Sequence, residues 1–205
     1  MYFYRTPAWL QLVFPGILWK VKTSAKEIYL TFDDGPVPEA TPWVLAELAK
    51  YNAKATFFMV GDNIAKHPEV FTAVVNQGHT VGNHTYNHLP GRQVGTKSYI
   101  ENVAAGEKAL GPSAQKLFRP PYGRLRWGQY QHLKKQYKIV MWDVLSGDFD
   151  EKLTAEECRQ RSIANTTGGS IIVFHDSRKT IARLKFVLPE FLAHFATLGY
   201  SFKSL

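Results

Sequence analysis

The chain has 205 residues, 45% of them apolar and 14% aromatic, which is typical of one globular domain and excludes a disordered chain. It has no repeat with a period of about 20–50 residues and no run of about 18 apolar residues, which argues against solenoids and membrane-spanning helices. The 25 basic and 17 acidic residues give a net charge of +8, which indicates either a lysine-rich surface or an anionic partner. No recognisable nucleic-acid-binding module occurs, so we expect no nucleic-acid partner.

The first predicted element is an apolar stretch over residues 8–19, which a Pro-Gly pair interrupts. Only Arg5 precedes it and no small-residue cleavage pattern follows, so we interpret it as a packing or interfacial segment rather than a signal peptide. We expect residues 1–26 to be an extension that packs on a domain spanning residues 27–205. The expected location is cytoplasmic or peripheral with export left open, and the oligomeric state is not predicted. A peripheral membrane contact stays open as an alternative, through Trp9, Leu10, Phe14 and Trp19.

Short apolar runs then alternate with longer amphipathic ones. The apolar runs predict seven strands, over residues 28–32, 55–60, 80–82, 116–118, 139–143, 170–174 and 201–202. The amphipathic runs predict helices over residues 41–51, 68–76, 98–110, 127–137, 154–165 and 179–198. This alternation is typical of a parallel sheet, either doubly wound or closed into a barrel. Cys158 is the single cysteine and falls in a predicted helix, so we expect a buried, inert thiol and no intrachain disulfide.

Ionisable residues follow five of the predicted strands. In a barrel of parallel strands, the carboxyl ends of the strands share one face, and active sites are built there. We therefore expect these side chains to converge on one site. They are Asp33, Asp34, His84, His88, Arg119, Asp148, His175 and Asp176.

Two of these groups together indicate a metal site. His84 and His88 are four residues apart, a spacing that places both imidazoles on one face of a helical turn. The adjacent Asp33 and Asp34 repel each other unless a cation or hydrogen bonds compensate. Taken alone, either motif is more typical of an exposed turn or of unrelated surface histidines. Two imidazoles with one carboxylate, however, form a set with open positions, as catalytic zinc or iron sites require.

Five motifs in this order resemble those of polysaccharide deacetylases of the NodB-homology type (carbohydrate esterase family 4). The resemblance spans residues 27–176, most of the chain. It implies a single-domain α/β fold, a distorted (β/α)7 barrel, and hydrolysis of N-acetyl, or also O-acetyl, groups of a carbohydrate. The motifs are Thr31-Phe32-Asp33-Asp34-Gly35-Pro36, His84-Thr85-Tyr86-Asn87-His88, Arg119-Pro120-Pro121-Tyr122-Gly123, Asp148, and Val173-Phe174-His175-Asp176.

The resemblance also implies a divalent metal, with Zn²⁺ expected and Co²⁺, Mn²⁺ or Ni²⁺ as alternatives. Its implied ligands are Asp34, His84 and His88.

Catalytic roles follow from the same resemblance. Asp33 would be the general base and Arg119 its tether. His175 would be the general acid, oriented and charge-tuned by Asp148. Tyr122 would line the site and offer its backbone N–H to an oxyanion.

Two positions depart from the family pattern. Phe149 stands where Trp is common and keeps an aromatic wall without an indole N–H. Ser177 stands where Leu is common, and a more polar pocket leaves the acyl preference open. Together with Tyr122 and Trp127, these two residues are the expected substrate contacts. The alternatives are an amidohydrolase or deformylase acting on a small non-polymeric amide, and a non-catalytic glycan-binding module.

Basic residues also cluster near the predicted rim of the site. They indicate that the acylated carbohydrate, or the surface that bears it, is anionic. These residues are Arg124, Arg126, Arg178 and Lys179.

Overall fold

A single parallel sheet organises residues 3–205, the part of the chain that this computed structural model describes. Along the main path the order is β5-β4-β3-β2-β1-β7-β6, and β8 pairs with the start of β1. Every pairing between these strands is parallel. The strands are β1 (Glu27–Asp33), β2 (Thr56–Met59), β3 (Thr80–Asn83), β4 (Leu117–Phe118), β5 (Lys138–Ile139), β6 (Val144–Leu145), β7 (Ile171–His175) and β8 (Ser201–Lys203).

The seven strands of the main path curl into a half-barrel, which confirms the predicted distorted (β/α)7 barrel. Its central strands are buried on both faces, as expected where helices cover a parallel sheet. Phe32 of β1 stacks on Phe57 of β2 at 5.1 Å and on Phe174 of β7 at 5.9 Å, measured between ring centroids. Burial of these rings ties the three central strands together.

Helices connect successive strands and cover the sheet. All six predicted helices occur, with ends shifted by a few residues, whereas α1 and α3 are not predicted. Cys158 lies fully buried in α7, and burial raises the pKa of its thiol to about 12, which agrees with the predicted inert role. The helices are α1 (Ala8–Val13), α2 (Thr41–Ala49), α3 (Gly61–Lys66), α4 (Pro68–Asn76), α5 (Thr96–Leu110), α6 (Trp127–Leu133), α7 (Ala155–Asn165) and α8 (Ile181–Thr197).

The predicted strand over residues 139–143 is wrong. Only Ile139, the last residue of β5, lies in a strand there; β6 begins at Val144, and β5 and β6 lie at opposite ends of the sheet path. The N-terminal segment separates them by pairing with the intervening residues. Leu18 accepts a hydrogen bond from the Met141 N–H at 2.8 Å, and the Thr6 N–H donates to the Asp143 carbonyl at 2.8 Å. The N-terminal segment thus satisfies part of the backbone between β5 and β6, while Val140 and Asp143 donate to the neighbouring strands β4 and β7.

A buried carboxylate fastens the N-terminal segment to the sheet. Asp143 is 1% exposed and accepts a hydrogen bond from the Ser170 hydroxyl at 2.6 Å. From the N-terminal segment, Lys20 lies 3.5 Å and Arg5 3.8 Å from the same carboxylate. Residues 1 and 2 lie outside the described residues, and the boundary expected between residues 26 and 27 stays a prediction. Within residues 3–205, no helix combines the length and apolar character needed to cross a bilayer.

Gly169→Ala tests how closely the N-terminal segment packs. A Cβ at Gly169 would lie 2.1 Å from the Val21 carbonyl oxygen, and its φ of +78° also disfavours any side chain. Gly199 has a nearly identical φ of +77° but no atom within 4 Å of an added Cβ, so Gly199→Ala is the matched control. In denaturant unfolding, we expect a loss of about 1–2 kcal/mol for the control and about 2–5 kcal/mol for Gly169→Ala. Equal losses would contradict the close packing.

Candidate active site

The loops that follow the strands bring the ionisable residues to one face of the half-barrel. Asp33 ends β1 and Asp34 follows it, while His84 and His88 follow β3. Arg119 follows β4 directly. The remaining members of the group come from the other half of the sheet, with Asp148 after β6 and His175 at the end of β7, followed by Asp176.

Three of these side chains surround a point where a cation fits. Ligand atoms of Asp34, His84 and His88 all lie within 4.8 Å of one another. The Asp34 Oδ1 atom lies 3.3 Å from Nε2 of His88 and 3.7 Å from Nε2 of His84. Although this oxygen is buried, it has no hydrogen-bond partner among the described residues. A buried carboxylate oxygen without a partner is costly, and a cation between it and the two imidazoles removes that cost.

The hydrogen bond of His84 Nδ1 fixes the tautomer in which Nε2 can bind a metal. Its Nδ1 lies 2.7 Å from the Arg119 carbonyl oxygen, which only accepts, so Nδ1 carries the proton and Nε2 presents a lone pair. Burial, and then the neighbouring His88, lower the pKa of His84 to about 3. The imidazole is therefore neutral at physiological pH, which is the state that binds metals.

His84 and His88 do not lie on the helical turn that their spacing predicts. The chain forms an irregular loop here, with left-handed φ values of 67° at Thr85 and 56° at His88. Side chains hold the loop: Asn83 Oδ1 accepts the Thr85 N–H at 2.8 Å, and the Thr85 hydroxyl accepts the Leu89 N–H at 3.1 Å. This curl brings the two imidazole centroids to 5.0 Å. The rings therefore converge by loop geometry.

Asp33 lies in a different environment from its neighbour Asp34. Nη1 of the fully buried Arg119 donates to Asp33 Oδ1 at 2.6 Å and to the Thr31 hydroxyl at 2.7 Å. The other terminal nitrogen donates to the Met141 carbonyl at 2.9 Å, and the guanidinium stacks over the Phe58 ring at 4.2 Å. Arg119 thus fixes the position of the Asp33 carboxylate and balances its charge.

His175 forms a close pair with Asp148. Its Nδ1 lies 2.7 Å from Asp148 Oδ1, and its backbone N–H donates to Oδ2 of the same carboxylate at 2.7 Å. Burial by itself lowers the pKa of His175, but the Asp148 charge and hydrogen bond outweigh it and raise the pKa to about 10. Nδ1 is occupied, so Nε2 is the nitrogen available for proton transfer.

The turn that carries Asp34 is held by a residue whose role the sequence does not reveal. Asp176 is fully buried and accepts hydrogen bonds from the Gly35 N–H at 3.1 Å and from the Thr41 hydroxyl at 2.5 Å. Burial raises the pKa of Asp176 to about 8. A Cβ on Gly35 would lie 2.2 Å from Asp176 Oδ2, so only glycine fits there. The Gly-Pro turn is visible in the sequence, but its partners come from α2 and the end of β7.

The expected substrate contacts fall on both sides of this site. Tyr122 is 61% exposed, and its ring centroid lies 4.7 Å from that of His88. Phe149 lies 5.4 Å from the His175 ring on the other side. Trp127 and Tyr122 both line a groove between the N-terminal segment and residues 122–130. The ring centroid of Trp127 lies 5.4 Å from that of Tyr130. The Ser177 hydroxyl lies 3.1 Å from that of Thr180, just before α8.

Known proteins are similar to this chain over most of its length. The sequence pattern described as polysaccharide deacetylase matches residues 20–138. A peptidoglycan-N-acetylglucosamine deacetylase of Bacillus cereus is 33% identical over 190 residues, which cover 87% of this chain and 69% of that protein. The chain belongs to the polysaccharide deacetylase family.

Similarity to this family extends to the whole three-dimensional structure. A solved peptidoglycan N-acetylglucosamine deacetylase, in complex with 4-naphthalen-1-yl-N-oxidanyl-benzamide, aligns with a TM-score of 0.88 at 30% identity. The alignment covers 98% of this chain and 95% of the other. The peptidoglycan-N-acetylglucosamine deacetylase PgdA of Listeria monocytogenes is 31% identical, and the matched region is 39% of its length.

Membership of the polysaccharide deacetylase family defines the reaction class of the chain. It is a hydrolase of carbon–nitrogen bonds other than peptide bonds. The family generally depends on a metal ion, and Asp34, His84 and His88 form a group that fits one.

The His175–Asp148 pair predicts a specific dependence of stability on pH. The folded pKa of His175, about 10, lies above its unfolded value of 6.5, so the pair's contribution is fully present below about pH 6.5. It is lost as the pH rises through about 10. We expect the stability difference between the wild type and Asp148→Asn, measured on chelated protein by denaturant unfolding, to shrink across this range. A difference that stays constant or grows would contradict the pairing.

Proposed function

We propose that this chain hydrolyses N-acetyl groups, or also O-acetyl groups, of a carbohydrate, with Asp34, His84 and His88 holding a divalent cation. The observation that supports this most is the buried, unpartnered Asp34 Oδ1 beside two imidazole nitrogens, adjacent to an Asp33 that Arg119 holds separately. The names of the relatives make peptidoglycan N-acetylglucosamine the first substrate to test.

Two imidazoles and one carboxylate are a donor set typical of catalytic Zn²⁺, with Co²⁺, Mn²⁺ or Ni²⁺ as alternatives. When bound, such a cation supplies Lewis acidity, which polarises an acyl oxygen and lowers the pKa of water.

Asp33 acts as the general base. Arg119 engages its Oδ1, which leaves Oδ2 to take a proton from the attacking water. Arg119 acts as a tether, because its own position is fixed by Thr31 and the Met141 carbonyl. The backbone N–H of Tyr122 donates to the oxyanion that forms at the acyl carbon.

His175 acts as the general acid. Asp148 holds Nδ1 and favours the imidazolium, so Nε2 carries the proton that passes to the leaving amine. A protonated acid on one side and a tethered base on the other let the two proton transfers proceed at the same pH. Tyr122, Trp127 and Phe149 provide aromatic faces against which a sugar ring packs.

Asp33→Asn and His84→Ala separate base chemistry from metal binding. Asp33→Asn keeps the metal ligands, so we expect normal metal content but a loss of about 10²–10⁴-fold in acetate release. His84→Ala removes a ligand, so we expect it to lose both metal and activity. Metal content is measured by mass spectrometry after metal is added back to chelated protein.

The surface variants Asp62→Asn and His194→Ala serve as controls. Asp62 pairs with Lys66 on α3, and His194 is exposed on α8, so neither should change metal content or turnover. Full activity of Asp33→Asn on the true substrate would refute the base assignment.

A second function is favoured by Ser177. A serine at the expected acyl pocket suits a small or polar acyl group, as in an amidohydrolase or deformylase acting on a small non-polymeric amide. Acyl release should be compared across peptidoglycan fragments, chitooligosaccharides, acetylated xylan and small formyl and acetyl amides.

Ser177→Leu tests the acyl preference by changing the protein instead of the substrate. An added apolar side chain should raise the ratio of kcat/KM for acetyl over formyl substrates by about 10-fold, because it packs on the acetyl methyl group. Ser177→Thr is the control, since it keeps the hydroxyl. An unchanged ratio in Ser177→Leu would show that Ser177 does not line the acyl pocket.

A further inference from the structure

A wide apolar groove lies beside the candidate active site. It has a volume of about 600 Å³ and runs between the N-terminal segment and residues 122–130. Leu10, Phe14 and Trp19 line one side, and Trp127 and Tyr130 line the other. Tyr122 lies in this groove and also contacts His88, so the groove opens next to the proposed metal site.

The outer surface of the N-terminal segment is apolar as well. Helix α1, with the sequence AWLQLV, carries no charged residue and has no buried residue. Leu12 is 80% exposed, and Phe3, Trp9 and Val13 are each between 57% and 59% exposed. A cluster of large apolar side chains on a short surface helix is typical of a contact with another apolar phase.

Arginines border this apolar face. Arg92, Arg124 and Arg126 are exposed, line the groove, and have no carboxylate within 4.0 Å among the described residues. Arg92 and Arg124 also line an adjoining depression of about 310 Å³, together with Tyr122. Arg178, by contrast, pairs with Glu39 at 2.8 Å, so its charge is balanced within the chain. Three exposed arginines without a carboxylate partner among the described residues therefore lie on the side that carries the groove and α1.

We propose that this face, formed by α1, the groove and the three arginines, docks on an anionic lipid bilayer. Bilayer docking accounts for both features, because the acyl region takes up apolar side chains while the headgroup phosphates pair with arginines. Trp9 suits the same position, since indole rings favour the headgroup level. A second copy of the chain fits less well, because a symmetric contact would bring the arginine clusters together.

Docking in this way places the candidate active site at the lipid surface. Tyr122 connects the groove to His88, so a substrate displayed at headgroup level reaches the site without leaving the interface. The proposal does not depend on deacetylation, because lipid binding is measured without turnover.

Vesicle flotation of the full chain tests the proposal. The probes are vesicles of equal parts phosphatidylglycerol and phosphatidylcholine, and vesicles of phosphatidylcholine alone. Leu12→Asp should weaken binding to the anionic vesicles by about tenfold or more. Phe186→Asp is the matched control, because Phe186 is 45% exposed on α8 and lines neither the groove nor the adjoining depression, so its loss should leave binding unchanged.

Charge is tested separately. Arg92→Gln and Arg124→Gln should each weaken binding to the anionic vesicles by about fivefold, and wild-type binding should fall as salt rises. Thermal midpoints of all variants should match that of the wild type, since each replaced side chain is exposed.

Three results would overturn the proposal. The first is equal binding of the wild type to neutral and anionic vesicles, or no binding to either. The second is vesicle binding that Leu12→Asp leaves intact. The third is a dimer, seen by light scattering, that Leu12→Asp dissociates, which would assign the face to a second copy of the chain.

Discussion

Arg119 is fully buried inside the half-barrel, and the site is arranged around it. Removing a guanidinium from water is costly, so its donors need partners, and Asp33, Thr31 and the Met141 carbonyl supply them. The same residue orients one of the proposed metal ligands, because its own carbonyl accepts the Nδ1 proton of His84. One buried cation therefore sets the position of the proposed base and the tautomer of a proposed ligand.

This arrangement explains how two adjacent aspartates take different roles. Asp33 points to a fixed cation within the protein, whereas Asp34 leaves an oxygen unpartnered beside two imidazoles. The mutual repulsion of the two carboxylates is relieved because one faces Arg119 and the other faces the two imidazoles. The turn that carries Asp34 depends on Asp176, whose contact with Gly35 leaves no room for a side chain.

The half-barrel is open between β5 and β6, and the N-terminal segment explains why. Strands β5 and β6 do not pair with each other, and the N-terminal segment hydrogen-bonds to the chain between them. Asp143, buried beneath that segment, attracts Arg5 and Lys20. Because the N-terminal segment is held in this way, only part of its apolar surface faces the protein interior. The remainder lines the groove and forms the exposed face of α1, which is the surface that we propose for the lipid contact.

The sequence alone determined the alternation of strands and helices, the residue types of the proposed metal ligands and the motif order, because each is a local pattern of residue chemistry. Hydrophobic periodicity located all six long helices but not α1 or α3, which are too short to show a period. It also predicted one strand over residues 139–143, where the structure has only the end of β5, because an apolar run does not reveal which partner satisfies its backbone. The His84–His88 spacing suggested a helical turn, but left-handed residues held by Asn83 and Thr85 curl the chain instead. Only the tertiary structure decided which aspartate faces Arg119, what holds Gly35, and which arginines lie beside apolar surface, because these depend on contacts between residues far apart in the chain.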